Sequence, residues 1–509
     1  MVDATPLLKT FAKYRYRRLC SLQPAEVQRQ QLLKLVRSAQ HTCFGKDHDF
    51  SRIKSVRDYQ SRVPLRRYEE FWQQYWQPTF PTLQDLTWPG HIPFFALSSG
   101  TSAGTTKYIP ISREMIASNR KAGLDLLTFH VINRPSSRIF AGRSFVLGGS
   151  TDLVQQSARV WSGDLSGIAV KTLPLWAKLR YFPPQRLALI KNWEEKIEVL
   201  ARESLRRRIT MLSGVPTWIL LFFSKLQELT HSRRVVDFYP HLEMLVHGGV
   251  NFAPYVQQFR SLLEGSHAEL REVYPASEGF VAVADRGYQE GLRVSLDHQL
   301  FYEFVPLEEL DRPSPTRHWI ADIETGVNYA IVLTTCAGLW SYVLGDTVRF
   351  IDRDTPRLLI TGRTSYYLSA FGEHVIAEEL EDATSFAASS LGIDVVDYSV
   401  GALFPQSTNE LGGHLFVVEF SPWPSNGGTI EEFSKLVDQR LRQRNEDYDA
   451  HRADGFGLNP PRILAARPGT FVAWMKARGK LGGQNKVPRI LTDQDTFKDL
   501  QHFAAHFRG

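Results

Sequence analysis

The sequence predicts an α/β fold with a large N-terminal lobe and a smaller C-terminal one. Three observations carry that prediction. From about residue 90, short apolar runs alternate with amphipathic helical patterns. Several of these runs end in loops that bear glycine, which is how α/β sheets build sites at the carboxyl ends of their strands. The composition is that of an ordinary globular chain, with 43% hydrophobic, 12% aromatic and 22% charged residues in 509.

Residues 1–80 read as helices and connectors. Leu32, Leu33, Leu35 and Val36 form an apolar stripe among Gln, Lys and Arg, and Pro64 and Pro81 punctuate the segment. Strand-like runs follow at 92–97, 144–147, 209–212, 244–246 and 273–274, and Trp193, Ile197, Leu200 and Leu205 mark an amphipathic helix between them. Residues 300–361 look rich in strand, with runs at 301–307, 330–335, 340–344, 348–351 and 358–360. Beyond Gly362, a helix carries Ile376, Leu380, Ala383 and Ala387 on one face. Strands at 398–404 and 414–420, a helix over 430–444 and two more strand-like runs within 462–490 complete the small lobe. The boundary falls near 362–368, giving a large lobe over 1–362, a hinge over 363–368 and a small lobe over 369–509.

Composition narrows the function classes. Three widely spaced cysteines, Cys20, Cys43 and Cys336, exclude a disulfide framework and suit a reducing compartment. The longest apolar run, 218–223, is far below the roughly 20 residues a bilayer span needs. No signal-peptide core follows the basic N-terminus, so a cytoplasmic protein is expected. Net charge is +6. The first 20 residues hold Lys9, Lys13, Arg15, Arg17 and Arg18 against Asp3. Such a patch could meet nucleic acid or anionic lipid, but reads more simply as a solvated helix face. Neither a nucleic-acid nor a membrane partner is expected.

Five segments carry chemistry. Residues 98–107 hold six hydroxyls, two glycines and a lysine directly after a strand. Ser98, Ser99, Gly100, Thr101, Ser102 and Lys107 offer N–H and O–H donors and a positive charge, a natural cradle for phosphate. The spacing is not that of a P-loop, because only three residues separate Gly100 from Gly104, with Lys107 beyond. Tyr274-Pro275-Ala276-Ser277-Glu278-Gly279 places a carboxylate in a small-residue loop, able to hold Mg²⁺ near phosphates, although alone it is a common turn or cap. Asp346, after Tyr342-Val343-Leu344-Gly345, could accept hydrogen bonds from ribose, although alone it suits a hairpin turn. Gly362-Arg363 and the late stretch from Gly482 to Arg489, with Lys486 inside it, could neutralise charge developing in phosphoryl or nucleotidyl transfer. No H-E-x-x-H, Cys-x-x-Cys, EF-hand or G-x-S-x-G pattern occurs. His247 and His374 lie beside these loops and read as local packing or hydrogen-bonding residues, not catalysts.

The order of these segments resembles the adenylate-forming superfamily of acyl-CoA synthetases, peptide-synthetase adenylation domains and luciferases. The spelling of Ser98-Ser99-Gly100-Thr101-Ser102 and of Gln484-x-Lys486-Val487-Pro488-Arg489 is similar to one branch. That branch is the Gretchen-Hagen-type acyl acid amido synthetases, the auxin-responsive promoter family of plants and its bacterial relatives. Val63-Pro64-Leu65 with Tyr68-Glu69, Ser213-Gly214-Val215-Pro216 and Asn445-x-x-Tyr448-x-x-x-Arg452 extend the likeness over residues 25–495. After the hinge, Leu368-Ser369-Ala370-Phe371-Gly372-Glu373-His374 departs from the plant enzymes' Leu-Ser-Ile-Asp and looks bacterial.

The resemblance implies an adenylate-forming enzyme fold with a mobile C-terminal lobe. It also implies a reaction in which ATP and a carboxylic acid give an acyl-adenylate and pyrophosphate, and an amino acid then takes the acyl group. ATP and Mg²⁺ are the implied cofactors, a small carboxylic acid and an amino acid the partners, and a monomer the state. By the same resemblance Ser98, Ser99, Thr101 and Ser102 bind phosphates, and Gly248, Gly249 and Val250 line the adenine site. Tyr274 lies against the purine, Ser277 contacts the α-phosphate and Glu278 holds Mg²⁺. Asp346 and Arg363 serve the ribose and the hinge, and Lys486 stabilises the α-phosphate and leaving group. A thiol acceptor such as coenzyme A, or a non-catalytic protein that keeps the nucleotide site, are the alternatives.

Overall fold

The computed structural model describes residues 2–507 except 99–105, 149–151, 189, 191–192, 250–251, 253–254, 289, 365–366, 369, 374, 406–409, 422, 425–426, 454–456 and 479–486. Helices Thr5–Cys20 and Pro24–Ala39 open the chain, followed by the shorter helices Cys43–Asp47, Val56–Arg62 and Tyr68–Phe71. The helical reading of the N-terminal segment therefore holds.

The large lobe contains two sheets. The smaller pairs β1 (Phe94–Ser98) with β2 (Lys107–Ile111), and adds β4 (Leu153–Ser157) and β5 (Val160–Gly163), in the order β2-β1-β5-β4. The larger begins with β3 (Arg143–Leu147), β6 (Tyr181–Phe182), β7 (Ile209–Gly214), β8 (Met244–Gly248) and β9 (Glu269–Ala276). It continues with β10 (Gly279–Val283), β11 (Leu292–Val294), β12 (Leu300–Pro306), β13 (His318–Trp319), β14 (Asn328–Thr335), β15 (Tyr342–Asp352) and β16 (Arg357–Arg363). Its order is β13-β12-β14-β15-β16-β11-β10-β9-β8-β7-β3-β6. The half from β6 to β9 is parallel and the half from β9 to β13 antiparallel.

The antiparallel half curls on itself. Strands four ladder steps apart lie about 19 Å apart in a flat sheet. Yet the Tyr274 hydroxyl on β9 reaches Asp346 on β15 at 2.5 Å. Likewise Tyr302 on β12 donates to the Val281 carbonyl on β10 at 3.3 Å, five steps away. This closure explains the composition of β12, whose seven residues are all buried, as covered strands require. Gln28 ties helix Pro24–Ala39 to the end of β12, donating to the Leu296 and Leu300 carbonyls and accepting from the Tyr302 N–H.

The small lobe contains β17 (Tyr367–Leu368), β18 (Val375–Ile376), β19 (Asp394–Leu403), β20 (Gly413–Ser421) and β21 (Arg462–Ala466). The last three form a sheet packed by helices Ala377–Leu391 and Gly427–Arg444. Glu373 joins the post-hinge stretch to that sheet: it accepts from the Ala370 and Phe371 N–H groups and pairs with His414 at 2.7 Å. The lobes touch where the Tyr255 hydroxyl donates to the Ala370 carbonyl at 3.1 Å and Trp218 faces His451.

Three sequence expectations need correction. The runs at 340–344 and 348–351 are one strand, β15. Gly345, at φ +98°, and a register shift between Thr347 and Val348 let the ladder continue where a turn was expected. Of the two strand-like runs expected within 462–490, one stands as β21; residues Thr470–Ala477 form a helix, because Phe471, Trp474 and Met475 recur at helical spacing on a buried face. Ile376 pairs in β18, so the helix after it starts at Ala377.

Candidate active site

The glycine-bearing loops follow the carboxyl ends of the parallel strands. β3 ends before Gly148, β7 ends at Gly214 and β8 at Gly248. Gly248 packs so close to β9 that a Cβ there would sit 2.3 Å from the Val273 carbonyl oxygen. Gly249 follows at φ +86°, a conformation glycine adopts without strain. Val250 lies outside the described residues.

The hairpin turn between β9 and β10 consists of Ser277 and Glu278, with Ala276 opposite Gly279. Glu278 is buried and accepts from the Tyr342 hydroxyl at 3.2 Å. Asp346 is also buried and accepts from the Tyr274 hydroxyl at 2.5 Å. Two segments of the same form, a tyrosine followed four residues later by an acid, are thus cross-linked reciprocally: each tyrosine donates to the other segment's carboxylate. Burial raises the Tyr342 hydroxyl well above the ordinary phenol range, and the charge of Glu278 raises it further, so it stays a donor. Asp346 lies opposite Arg363 in the β15–β16 ladder, which brings the ribose and hinge candidates together.

The phosphate-loop candidate is anchored at both ends. Ser98 and Lys107 are cross-strand partners of β1 and β2. Between them, Ser99, Gly100, Thr101 and Ser102 lie outside the described residues. The Lys107 ammonium sits 5.6 Å from the Tyr68 ring centroid, and the Tyr68 hydroxyl accepts from the Tyr108 N–H at 2.9 Å. Tyr68 also lies close enough to Tyr342 to influence its ionisation. Lys486 lies outside the described residues, as does His374.

On the large sheet, His247 and Glu272 are register partners of β8 and β9. Burial pushes the Glu272 carboxyl up to about 7 and the His247 imidazole down to about 3, so both are neutral through mildly acidic pH. His247 stacks on Phe252 at 3.6 Å between ring centroids, and among the described residues its Nδ1 has no hydrogen-bond partner. Packing was the reading from sequence, and the stacking fits it.

A different trio, Asp125, Asp297 and His298, is the group of metal-ligand type found among the described residues. It is already filled. Arg15 forks both carboxylates, at 2.6–2.7 Å to Asp125 and 2.8 Å to Asp297, and Lys121 adds a contact to Asp297 at 2.9 Å. A buried guanidinium between the carboxylates leaves no place for a cation. The resemblance assigns Mg²⁺ to Glu278, and Mg²⁺ is commonly held by one or two carboxylates plus substrate phosphates.

Sequence reasoning gave Tyr342 and Tyr68 no role. The equal four-residue spacing in Tyr274–Glu278 and Tyr342–Asp346 was the signal that could have found the first.

The fold is that of the adenylate-forming enzymes. A solved structure named GH3.15 acyl acid amido synthetase matches with a TM-score of 0.60 and 16% identity, over 99% of this chain and 97% of that one. A 2-hydroxyisobutyryl-CoA ligase, solved with 2-HIB-AMP and CoA, matches with a TM-score of 0.56 and 15% identity, over 94% of this chain and 91% of that one. Three domain profiles then fix the family. The GH3 family N-terminal domain matches residues 18–152 and 148–268, the central domain 293–363 and the C-terminal domain 378–495. The chain belongs to the GH3 family. Among curated relatives, Indole-3-acetic acid-amido synthetase GH3.8 of Oryza sativa subsp. indica is 29% identical over 206 residues, 38% of this chain and 33% of the relative. Indole-3-acetic acid-amido synthetase GH3.15 of Arabidopsis thaliana is 26% identical over 306 residues, 57% of this chain and 45% of the relative. The matched stretches thus span about a third to a half of these two relatives.

Proposed function

We propose that this chain is an ATP-dependent acyl acid amido synthetase that joins a carboxylic acid to an amino acid through an acyl-adenylate. The observation that carries the reading is the reciprocal pairing of Tyr274 with Asp346 and Tyr342 with Glu278. It unites two segments that the family resemblance assigns to one nucleotide, in a sheet whose parallel strands end in glycine loops. Family membership and the printed names of the relatives support the same reaction.

A carboxylate is a poor acyl donor because its leaving group is bad. Its oxygen attacks the α-phosphorus of ATP, pyrophosphate leaves, and the acid becomes a mixed anhydride. The amino acid nitrogen then attacks the acyl carbon, AMP leaves, and the nitrogen loses a proton as the amide forms. Neither step needs a side-chain nucleophile, so positioning and charge neutralisation carry the rate. Ser98 to Ser102 and Lys107 cradle phosphates; Gly248, Gly249 and Val250 leave room for adenine beside Tyr274. Asp346 and Arg363 hold the ribose, Ser277 the α-phosphate and Lys486 the developing charge. Glu278 holds Mg²⁺, which would neutralise phosphate charge when bound. The segment 363–368 is the hinge of a lobe that rotates between half-reactions; the gap between the matches ending at 363 and starting at 378 supports a boundary there. The protein works as a cytoplasmic monomer. Among the described residues no helix is long and apolar enough to cross a membrane.

The test is carboxylate-dependent ATP–pyrophosphate exchange with Mg²⁺ over aromatic and aliphatic acids. Exchange with at least one acid, followed by amide formation with an amino acid, is the expected result. Thioester formation with coenzyme A in place of the amide would move the assignment to an acyl-CoA ligase. ATP binding without exchange across the panel would leave a binding protein.

A further inference from the structure

Exposed apolar side chains are concentrated in one region. Thirteen large hydrophobics are exposed among the described residues, and seven of them lie in two segments, 2–20 and 165–188. In the first, Leu7, Phe11 and Tyr14 recur at helical spacing on the outer side of helix Thr5–Cys20, with Val2 before them. In the second, Leu175 is 82% exposed, Leu179 73% and Trp176 52%. The segments meet. Phe140 donates its N–H to the Thr5 hydroxyl and faces Trp176 at 6.1 Å between ring centroids, while Arg180 donates to the Val2 carbonyl at 2.8 Å.

Charge follows the same boundary. The two segments hold nine Lys and Arg against one acid, Asp3, and 165–188 holds no acid at all. Arg15 is buried and satisfied by Asp125 and Asp297, and Asp3 pairs with Arg138. Lys13, Arg17, Arg18, Lys178 and Arg186 remain exposed. Leucines and aromatics protruding from a basic surface match an anionic bilayer, where apolar tips enter the headgroup boundary and cations meet lipid phosphates. A second copy fits worse, since a two-fold contact would set one basic patch against the other. Nucleic acid would use the charges but leave the leucines in water.

We infer that helix Thr5–Cys20 and the segment 165–188 form a peripheral docking surface for an anionic membrane. The solvated face expected from the sequence is thereby given a partner. The adenylation site is remote from this argument, so failure of one assignment leaves the other standing.

The experiment is flotation of the full chain with vesicles of phosphatidylcholine alone, or with about a third phosphatidylserine, at low and high salt. Binding to the phosphatidylserine vesicles, weakened by salt, is expected. Lys13→Glu with Arg17→Glu, and separately Leu7→Ser with Leu179→Ser, should each weaken it at least about tenfold. All four residues are exposed, so unfolding midpoints and ATP–pyrophosphate exchange should not move. Equal binding to both vesicle types, no binding to either, or unchanged binding in the leucine variant would overturn the proposal. So would a lipid-free dimer that the leucine variant dissolves, or retention on RNA that only the charge variant loses.

Discussion

Two regions of the large lobe bury paired carboxylates, and they are built oppositely. At Asp125 and Asp297, a guanidinium forks both acids and an ammonium joins them. At Glu278 and Asp346, tyrosine hydroxyls donate at the end of a hairpin and on a curled strand. The first region has all the ligand types a metal wants, yet its own cation fills it. The second offers one acid per segment, Glu278 in the turn after β9 and Asp346 within β15 beside Gly345. Residue types crowded together therefore do not define a site. What differs is the partner: a buried guanidinium forks the first pair, whereas a tyrosine hydroxyl donates to each acid of the second.

Removing Arg15 should break the first region outright. Arg15→Ala removes the guanidinium shared by two buried carboxylates, leaving Lys121 on Asp297, and should cost about 3–5 kcal/mol in urea unfolding, with exchange kinetics of the folded protein unchanged. A cost below about 1 kcal/mol would show that the cluster is solvated. Burial opposes ionisation of both aspartates, but the Arg15 hydrogen bonds outweigh it and hold their carboxyls below the usual range. Their stabilisation is therefore present above about pH 4, and is lost as pH falls through the depressed values. Arg15→Ala should flatten that acid limb.

Glu278→Gln should do the reverse. The amide keeps the size and can still accept from Tyr342, so stability should change by less than about 1 kcal/mol. Mg²⁺-dependent exchange should fall about 10²-fold or more, the scale seen when a charge-stabilising group is lost. Unchanged exchange would remove Glu278 from the metal role.

Glu272 sharpens the contrast in the opposite pH direction. Its folded carboxyl, raised to about 7 by burial, favours the neutral form. The stability this contributes is complete below about pH 4 and is lost as pH rises through 7, by at most about 3 kcal/mol. Glu272→Gln should abolish that decline, read as the difference between unfolding curves at pH 5 and pH 8.

The smallest effects belong to the tyrosines. Tyr342→Phe and Tyr274→Phe each remove one hydrogen bond to a buried carboxylate, for about 1–3 kcal/mol. If the tyrosines position Glu278 and Asp346, Tyr342→Phe combined with Glu278→Gln should cost less than the two single changes summed. Strict additivity would make Tyr342 a packing residue only.

Much of the fold was legible. The run at 244–246 before Gly248-Gly249, the helix marked by Trp193 and Ile197, and the strands at 398–404 and 414–420 stand within a few residues of where they were read. Each depends on periodicity and turn chemistry contained in about a dozen neighbouring residues. Misreadings arose where a local cue was outvoted. Gly345 looked like a turn but bridges a continuous strand, because β14 pairs with β15 both before it, at Tyr342 and Val343, and after it, at Thr347 to Arg349. Within 462–490, where two strand-like runs were read, the structure has the strand β21 and the helix Thr470–Ala477.

The sequence by itself determined the strand-and-loop alternation, the glycines at strand ends, and the chemistry of the Tyr-x-x-x-acid segments. All of these are set by neighbours along the chain. Only the tertiary structure decided that Tyr274 meets Asp346 and Tyr342 meets Glu278, and that Arg15 closes a cluster drawn from residues 125 and 297. Those contacts join segments tens to hundreds of residues apart. They exist because the antiparallel half of the sheet curls, bringing strands four ladder steps apart within reach of one side chain. No spacing within a segment encodes that closure.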